Sequence, residues 1–200
     1  MKSEADKNSE NEDNVLIERN ILIDHIIMNE DKFTEQQIND HIVTFVSGYE
    51  TWANALAHTM LMLAIHPEIQ EKCFNEIKSV FNSKDVEIDA QSMNQLQYLD
   101  LVQKEVYRLM PTVPMILRQT LKDFELEKGM IIKKDVNFII NLYAMHRRKD
   151  IWGKDADQFN PDRFHLDNAS KRHPFSYLPF SGGQRNCIGE LKTKLSLLMI

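Results

Sequence analysis

The sequence predicts a mainly α protein carrying small β-sheets, and three observations carry that expectation. A helical pattern runs from Thr34 to about His66 without a proline. Two further helical segments follow, from Pro67 to Phe81 and from Tyr98 to Met110. Beyond Pro114 the pattern shortens into strand-like runs, Arg118 to Glu127 and Met130 to Leu142, separated by Lys128-Gly129. With 200 residues, 42% of them hydrophobic and 27% charged, the chain can bury a core of its own.

Residues 2 to 13 hold five acids and only one apolar side chain, Ala5, so residues 1–20 read as an acidic, disordered segment. Ile21, Leu22, Ile23, Ile26 and Ile27 suggest a short amphipathic helix ending near Asn29. Thr34, with Gln37 three residues later, is a capping-box signature that opens the long helix. At ~1.5 Å per residue that helix would cross a whole domain. Pro67 takes a first-turn position in the next helix, whose apolar face holds Ile69, Cys73, Ile77 and Phe81. The helix from Tyr98 stops before Pro111, which cannot continue it. Residues 147–180 form an irregular stretch containing Trp152, Phe159, Pro161, Phe164, Pro174 and Pro179. A loop this long and this aromatic is expected to be packed and functional. Leu191 to Ile200 would open another helix, and no internal repeat is visible.

Composition excludes several classes. A formal charge of -6 gives no electrostatic basis for a nucleic-acid partner. Two cysteines, Cys73 and Cys187, cannot make a disulfide framework and suit a reducing compartment. No run approaches the roughly 18 apolar residues that span a bilayer, and the N-terminus lacks a signal-peptide pattern. The seven histidines are scattered without metal-ligand spacing, so a zinc site is poorly supported. Cys73, on an apolar helix face, reads as core.

The strongest chemical signal is Phe180-Ser181-Gly182-Gly183-Gln184-Arg185-Asn186-Cys187-Ile188-Gly189. It places Cys187 in a glycine-bearing turn, two residues after Arg185 and just before a helix-like segment. A cation and a helix N-terminus favour ionised sulfur, the form that binds metal. Gly182, Gly183 and Gly189 let the backbone turn sharply beside something flat or bulky. A buried cysteine in a glycine turn is the plainer reading of Cys187 taken alone. The pattern F-x-x-G-x-R-x-C-x-G resembles, at every fixed position, the haem-binding loop of the cytochrome P450 family. Glu105-Val106-Tyr107-Arg108, with Pro111-x-x-Pro114 and then Phe159-Asn160-Pro161-Asp162-Arg163-Phe164, is similar to the family's E-x-x-R helix and its downstream arginine. Asp162 stands in place of the usual Glu. Gly48-Tyr49-Glu50-Thr51 is similar to the family's A/G-G-x-D/E-T segment. Gly48 weakens the helix there, and Thr51 can bond back to a carbonyl one turn earlier, which favours a kink.

The resemblance implies a partial cytochrome P450 fold, from the long central helix to the cysteine loop, with residues 21–200 forming the C-terminal half of a single catalytic domain. It implies haem b (iron protoporphyrin IX) as cofactor, with Cys187 the axial ligand of the iron. Arg185, Phe180, Gly183, Gly189 and Arg118 become further cofactor contacts, the two arginines toward the propionates. Glu50 and Thr51 take a catalytic role as a proton relay. Glu105, Arg108 and Arg163 form a charge clamp beneath the loop, structural and not catalytic. Val113, Met115 and Ile116 correspond to a pocket-lining segment; their apolar character suits a lipophilic substrate and equally a core. Trp52 stands where many members have Thr or Ser. Ser47 replaces the glutamate of the fatty-acid ω-hydroxylase branch, so no ester link to haem is expected there.

The activity so implied is a haem-dependent monooxygenase inserting one oxygen atom of O2 into a lipophilic organic substrate. Its electrons would come from NADPH through NADPH-cytochrome P450 reductase, with cytochrome b5 a second candidate donor. The implied location is the endoplasmic reticulum membrane, on its cytosolic face, although no span is expected within this chain. Lys171, Arg172 and His173, and Arg147, Arg148 and Lys149, are basic groups that could dock the reductase. The segment from Phe175 to Glu190 most resembles the microsomal, insect-type branches. Members are usually much longer, which leaves a second expectation: a truncated, non-catalytic fragment or pseudoenzyme with at most weak haem binding.

Overall fold

The computed structural model describes residue 26, residues 28–81 and residues 90–189. The acidic segment 1–20 and the helix expected from Leu191 lie outside the described residues, as does most of the one expected from Ile21. The chain divides into two compact units, Met1–Glu50 and Thr51–Ile200.

In the first unit a 3-10 turn, Glu30–Lys32, leads into helix α1, Glu35–Ile65. The capping box is made reciprocally. Thr34 N donates to Gln37 Oε1 at 2.9 Å, and Gln37 N donates to Thr34 Oγ1 at 3.3 Å, which satisfies two otherwise unpaired amides. Phe33 sets its ring edge-to-face on His41, 5.7 Å away.

The second unit holds the remainder of α1, then α2 (Pro67–Val80), α3 (Ala90–Met93) and α4 (Gln97–Leu109). Its principal core forms where α4 meets α2 and the end of α1: Leu99, Val102, Val106 and Leu109 pack with Ile69, Cys73 and Met62. Those α4 positions recur every three or four residues, the spacing of one helix face. Burial lifts the Cys73 thiol to about 12, so it stays neutral as core. Leu96 supplies no side-chain cap to α4. The cap comes instead from α2: Glu76 accepts from Tyr98 N at 2.7 Å and Leu99 N at 2.9 Å, placing a carboxylate on the positive end of α4.

After Pro114 the two expected strands become four: β1 (Met115–Gln119), β2 (Phe124–Glu127), β3 (Met130–Ile132) and β4 (Asn137–Asn141). β1 pairs antiparallel with β4, and β2 with β3, so a short hairpin is nested in the connection between the strands of a longer one. Both long runs break for the same reason, which is side-chain competition for backbone groups. Thr120 Oγ1 accepts from Val136 N at 2.9 Å and donates to Lys133 O at 2.7 Å, while Asp123 accepts from Lys134 N at 2.8 Å. Asp135 closes the turn in a left-handed conformation, φ 64°.

Residues 147–180 lack long elements but are not structureless. They contain α6 (Lys149–Trp152) and α7 (Leu166–Ala169), after α5 (Leu142–Met145), with 3-10 turns at Pro161–Phe164 and Pro174–Ser176. A second core of Trp152, Ala156 and Phe164, with Tyr177 against it, holds them together.

Candidate functional site

Helix α4 carries polar groups into the interior. Glu105 and Arg108, at i and i+3, are both fully buried and meet as a fork: Arg108 Nε to Glu105 Oε2 at 2.6 Å and Nη2 to Oε1 at 2.8 Å. The rest of the guanidinium reaches into the following loops. Nη1 donates to His146 O at 2.7 Å and Ala156 O at 2.6 Å, and Nη2 to Gln158 O at 3.2 Å. Every N–H of Arg108 is therefore used, which is what a buried guanidinium requires. Glu105 Oε1 also accepts from Asn160 N at 2.9 Å.

Arg163 comes from the Pro161–Phe164 turn. Its Nε stands 3.4 Å from Glu105 Oε1, close enough for an ion pair, yet the angle makes no hydrogen bond. Its fork faces Asp155, with Nη2 to Oδ2 at 2.5 Å and Nη1 to Oδ1 at 3.2 Å, and that bonding holds the Asp155 carboxyl below the usual range. Glu105, Arg108 and Arg163 are thus brought together, but a fourth member, Asp155, takes most of the Arg163 hydrogen bonding. Nothing in the spacing of Asp155 distinguishes it in the sequence. Two cations approach the Trp152 ring, Arg108 at 5.0 Å and Arg172 at 4.6 Å from its centre. Arg172 also donates to Arg163 O at 2.7 Å, and Arg147 donates to Leu109 O. Two of the basic residues expected as docking groups are therefore built into the fold, while Lys171 is exposed.

The chain then passes from Tyr177, whose hydroxyl donates to Lys104 O at 2.9 Å, into the cysteine loop. Leu178 N donates to Nε2 of the fully buried His146 at 3.1 Å. Phe180 packs edge-to-face on Tyr107, ring centres 5.5 Å apart, and its carbonyl accepts from Cys187 N at 2.9 Å. Ser181 and Gly183 take left-handed backbone, φ 66° and 78°. Arg118, the fourth residue of β1, reaches this loop: Nη2 donates to Ser181 Oγ at 2.5 Å and approaches Arg185 O at 3.5 Å. Cys187 is exposed, and its Sγ accepts from Gly189 N at 3.3 Å. Among the expected cofactor contacts, then, Phe180, Gly183, Arg185, Cys187 and Gly189 share one loop, with Arg118 against it.

Met115 and Ile116 are successive in β1 and so project to opposite faces, Ile116 on the face of Arg118 and Met115 on the other. Glu50 and Thr51 are exposed positions of α1. A Cβ on Gly48 would meet nothing within 4 Å, so close packing does not explain that glycine. Trp52 buries its Nε1 without a hydrogen-bond partner among the described residues.

The fold and the cysteine loop are similar to those of haem-thiolate proteins, and comparison with known proteins agrees. A family model described as cytochrome P450 matches residues 1–198. A probable cytochrome P450 313a4 of Drosophila melanogaster is 43% identical over 165 residues, covering 82% of this chain and 33% of that protein. Cytochrome P450 4p1 of the same organism is 32% identical over 215 residues, covering 100% of this chain and 41% of its own. The crystal structure of a cytochrome P450 (CYP102L1) superimposes with a TM-score of 0.76 at 32% identity, over 84% of this chain and 38% of that one. The chain belongs to the cytochrome P450 family, and its relatives fit the insect-type branch. It spans about a third of the length of the curated relatives it matches. No helix among the described residues is long and apolar enough to cross a membrane.

The family implies haem, and the residues present fit one. The loop offers an exposed sulfur with one amide already directed at it, a softer ligand than any other side chain here. Against the loop stands the Arg118 guanidinium, suited to an anionic edge, and the loop itself exposes the apolar Ile188 next to the sulfur.

Proposed function

We propose that this chain carries the cofactor-binding part of a haem-thiolate monooxygenase, which inserts one oxygen atom of O2 into a lipophilic organic substrate. The observation that carries the reading is the exposed Cys187 sulfur in a loop tied down by Arg118 and by its own amides. Cys187 would hold the iron, and Arg118 and Arg185 the propionates, with Phe180, Gly183 and Gly189 shaping the loop around the ring. Bound haem with a thiolate ligand supplies oxygen activation, because electron donation from sulfur favours O–O cleavage. Thr51 Oγ1 and the Glu50 carboxylate would hold and move protons. Electrons would reach the site from NADPH through the reductase, with cytochrome b5 a second donor, at the cytosolic face of the endoplasmic reticulum.

The test is hemin titration of this chain and of its Cys187→Ser and Cys187→His variants, followed by reduction under carbon monoxide. The unmodified chain should give the red-shifted band of a thiolate-ligated haem, and both variants should lose it. Retention of that band by Cys187→Ser would remove the ligand assignment.

A further inference from the structure

We propose that His146 is a positioning residue for the cysteine loop: its ring Nε2, by accepting the Leu178 amide, fixes where residues 178–189 leave the core. The proposal rests on the reading of Cys187 as ligand only for its purpose, since the geometry stands without it.

His146 lies at the junction of the buried charges and the loop. Its backbone carbonyl accepts from Arg108 Nη1 at 2.7 Å, and its ring accepts from Leu178 N at 3.1 Å. A single residue therefore joins the fork of α4 to the first amide of the loop. The ring packs at a tilt against Tyr177, 5.3 Å between centres, and edge-to-face with Trp152 at 6.4 Å. An imidazole that accepts at Nε2 must carry its proton on Nδ1. Here Nδ1 is buried and has no partner among the described residues, so the ring leaves its donor unpaired while its acceptor serves Leu178. A histidine present only to fill space would have no use for that arrangement, because an apolar ring of similar size would avoid the unpaired group.

The charged and titratable groups around it favour the neutral ring. Arg108 from α4, Arg147 next in the chain and Tyr177 from the loop face it; burial first, and then the Arg108 charge, lower its pKa to about 4. It is therefore neutral, and able to accept, throughout the physiological range. Further along, Ser181 N donates to Leu178 O at 3.1 Å and Cys187 N to Phe180 O at 2.9 Å, so a shift at Leu178 propagates to the turn that presents the sulfur.

Two measurements on the 200-residue chain test this. Nitrogen NMR of the unmodified protein at neutral pH should show His146 as the Nδ1–H tautomer, and the Nε2–H tautomer would overturn the proposal without any variant. Amide exchange should then be compared among the unmodified chain, His146→Leu and His146→Gln, whose Oε1 can replace Nε2 as acceptor. His146→Leu should speed exchange at Leu178, Ser181 and Cys187 by about tenfold or more while leaving Trp152 N unchanged, and His146→Gln should restore most of the protection. Acceleration of Trp152 together with the loop, or no acceleration in His146→Leu, would overturn the positioning role. Neither measurement contains haem, so either can fail while the Cys187 titration succeeds, and the reverse.

Discussion

Glu105 and Arg108 show how far a single pair can reach. Both are fully buried, and the pair persists because the remaining guanidinium N–H groups find carbonyls of His146, Ala156 and Gln158. Removing one partner strands the other charge in a low-dielectric interior, a loss of about 3–5 kcal/mol. Glu105→Ala should therefore lower the urea midpoint sharply and reduce hemin uptake in parallel. Arg108→Lys should be nearly as damaging, since an ammonium offers three donors at a point and cannot reproduce the fork. A Glu105→Ala chain of unchanged stability would show that the fork contributes nothing to holding the fold.

At the scale of elements, α4 depends on α2 for its beginning as well as its packing. The Glu76 carboxylate takes the amides of Tyr98 and Leu99, a duty usually performed by a Ser, Thr, Asp or Asn preceding the helix. Glu76→Ala should cost about 1–2 kcal/mol in urea denaturation, with faster amide exchange at Tyr98 and Leu99. By contrast, Leu99→Ala opens the core that α4 shares with α2 and should cost about 2–5 kcal/mol. If Glu76→Ala left both amides protected, the cap would have to come from elsewhere.

For the whole molecule, two consequences follow from burial of charge. The unfolded chain protonates His146 near 6.5, whereas the folded chain resists until about 4. Between those values the unfolded state binds the extra proton, so stability falls as pH drops, by up to about 3 kcal/mol from this group. Asp155 acts in the same direction: its carboxyl is held low by Arg163, and that contribution is lost as pH falls through its folded value. Between pH 7 and pH 5 only His146 of these two contributes, so unfolding free energies from urea should differ by about 2 kcal/mol through it. The Asp155 loss should appear below about pH 4, and His146→Gln should flatten the dependence between pH 7 and pH 5. The second consequence separates the two residues of the basic pair before the loop. Arg172→Glu should destabilise the chain by removing a cation stacked on Trp152, whereas Lys171→Glu should leave the midpoint unchanged. Reductase docking is therefore tested cleanly by Lys171→Glu, as a salt-dependent loss of association rate.

The sequence by itself determined the three long helices and the family resemblance of the cysteine loop, because both are written locally. Capping residues, the 3.6-residue apolar period of α4 and the prolines at positions 67 and 111 act within a turn or two, and the cysteine loop is ten consecutive residues. It also placed Glu105, Arg108 and Arg163 as members of one family pattern. Only the tertiary structure decided which partners those charges took. Asp155 joined Arg163, Glu76 capped a helix it does not belong to, His146 met Leu178, and the half-buried Arg172 turned its guanidinium onto Trp152. The strands divided in four for a similar reason, since Thr120 and Asp123 bond to backbone groups more than ten residues away. A buried polar group must find a partner wherever the fold brings one within about 3 Å, and that choice is set by packing between distant segments, which no local pattern records.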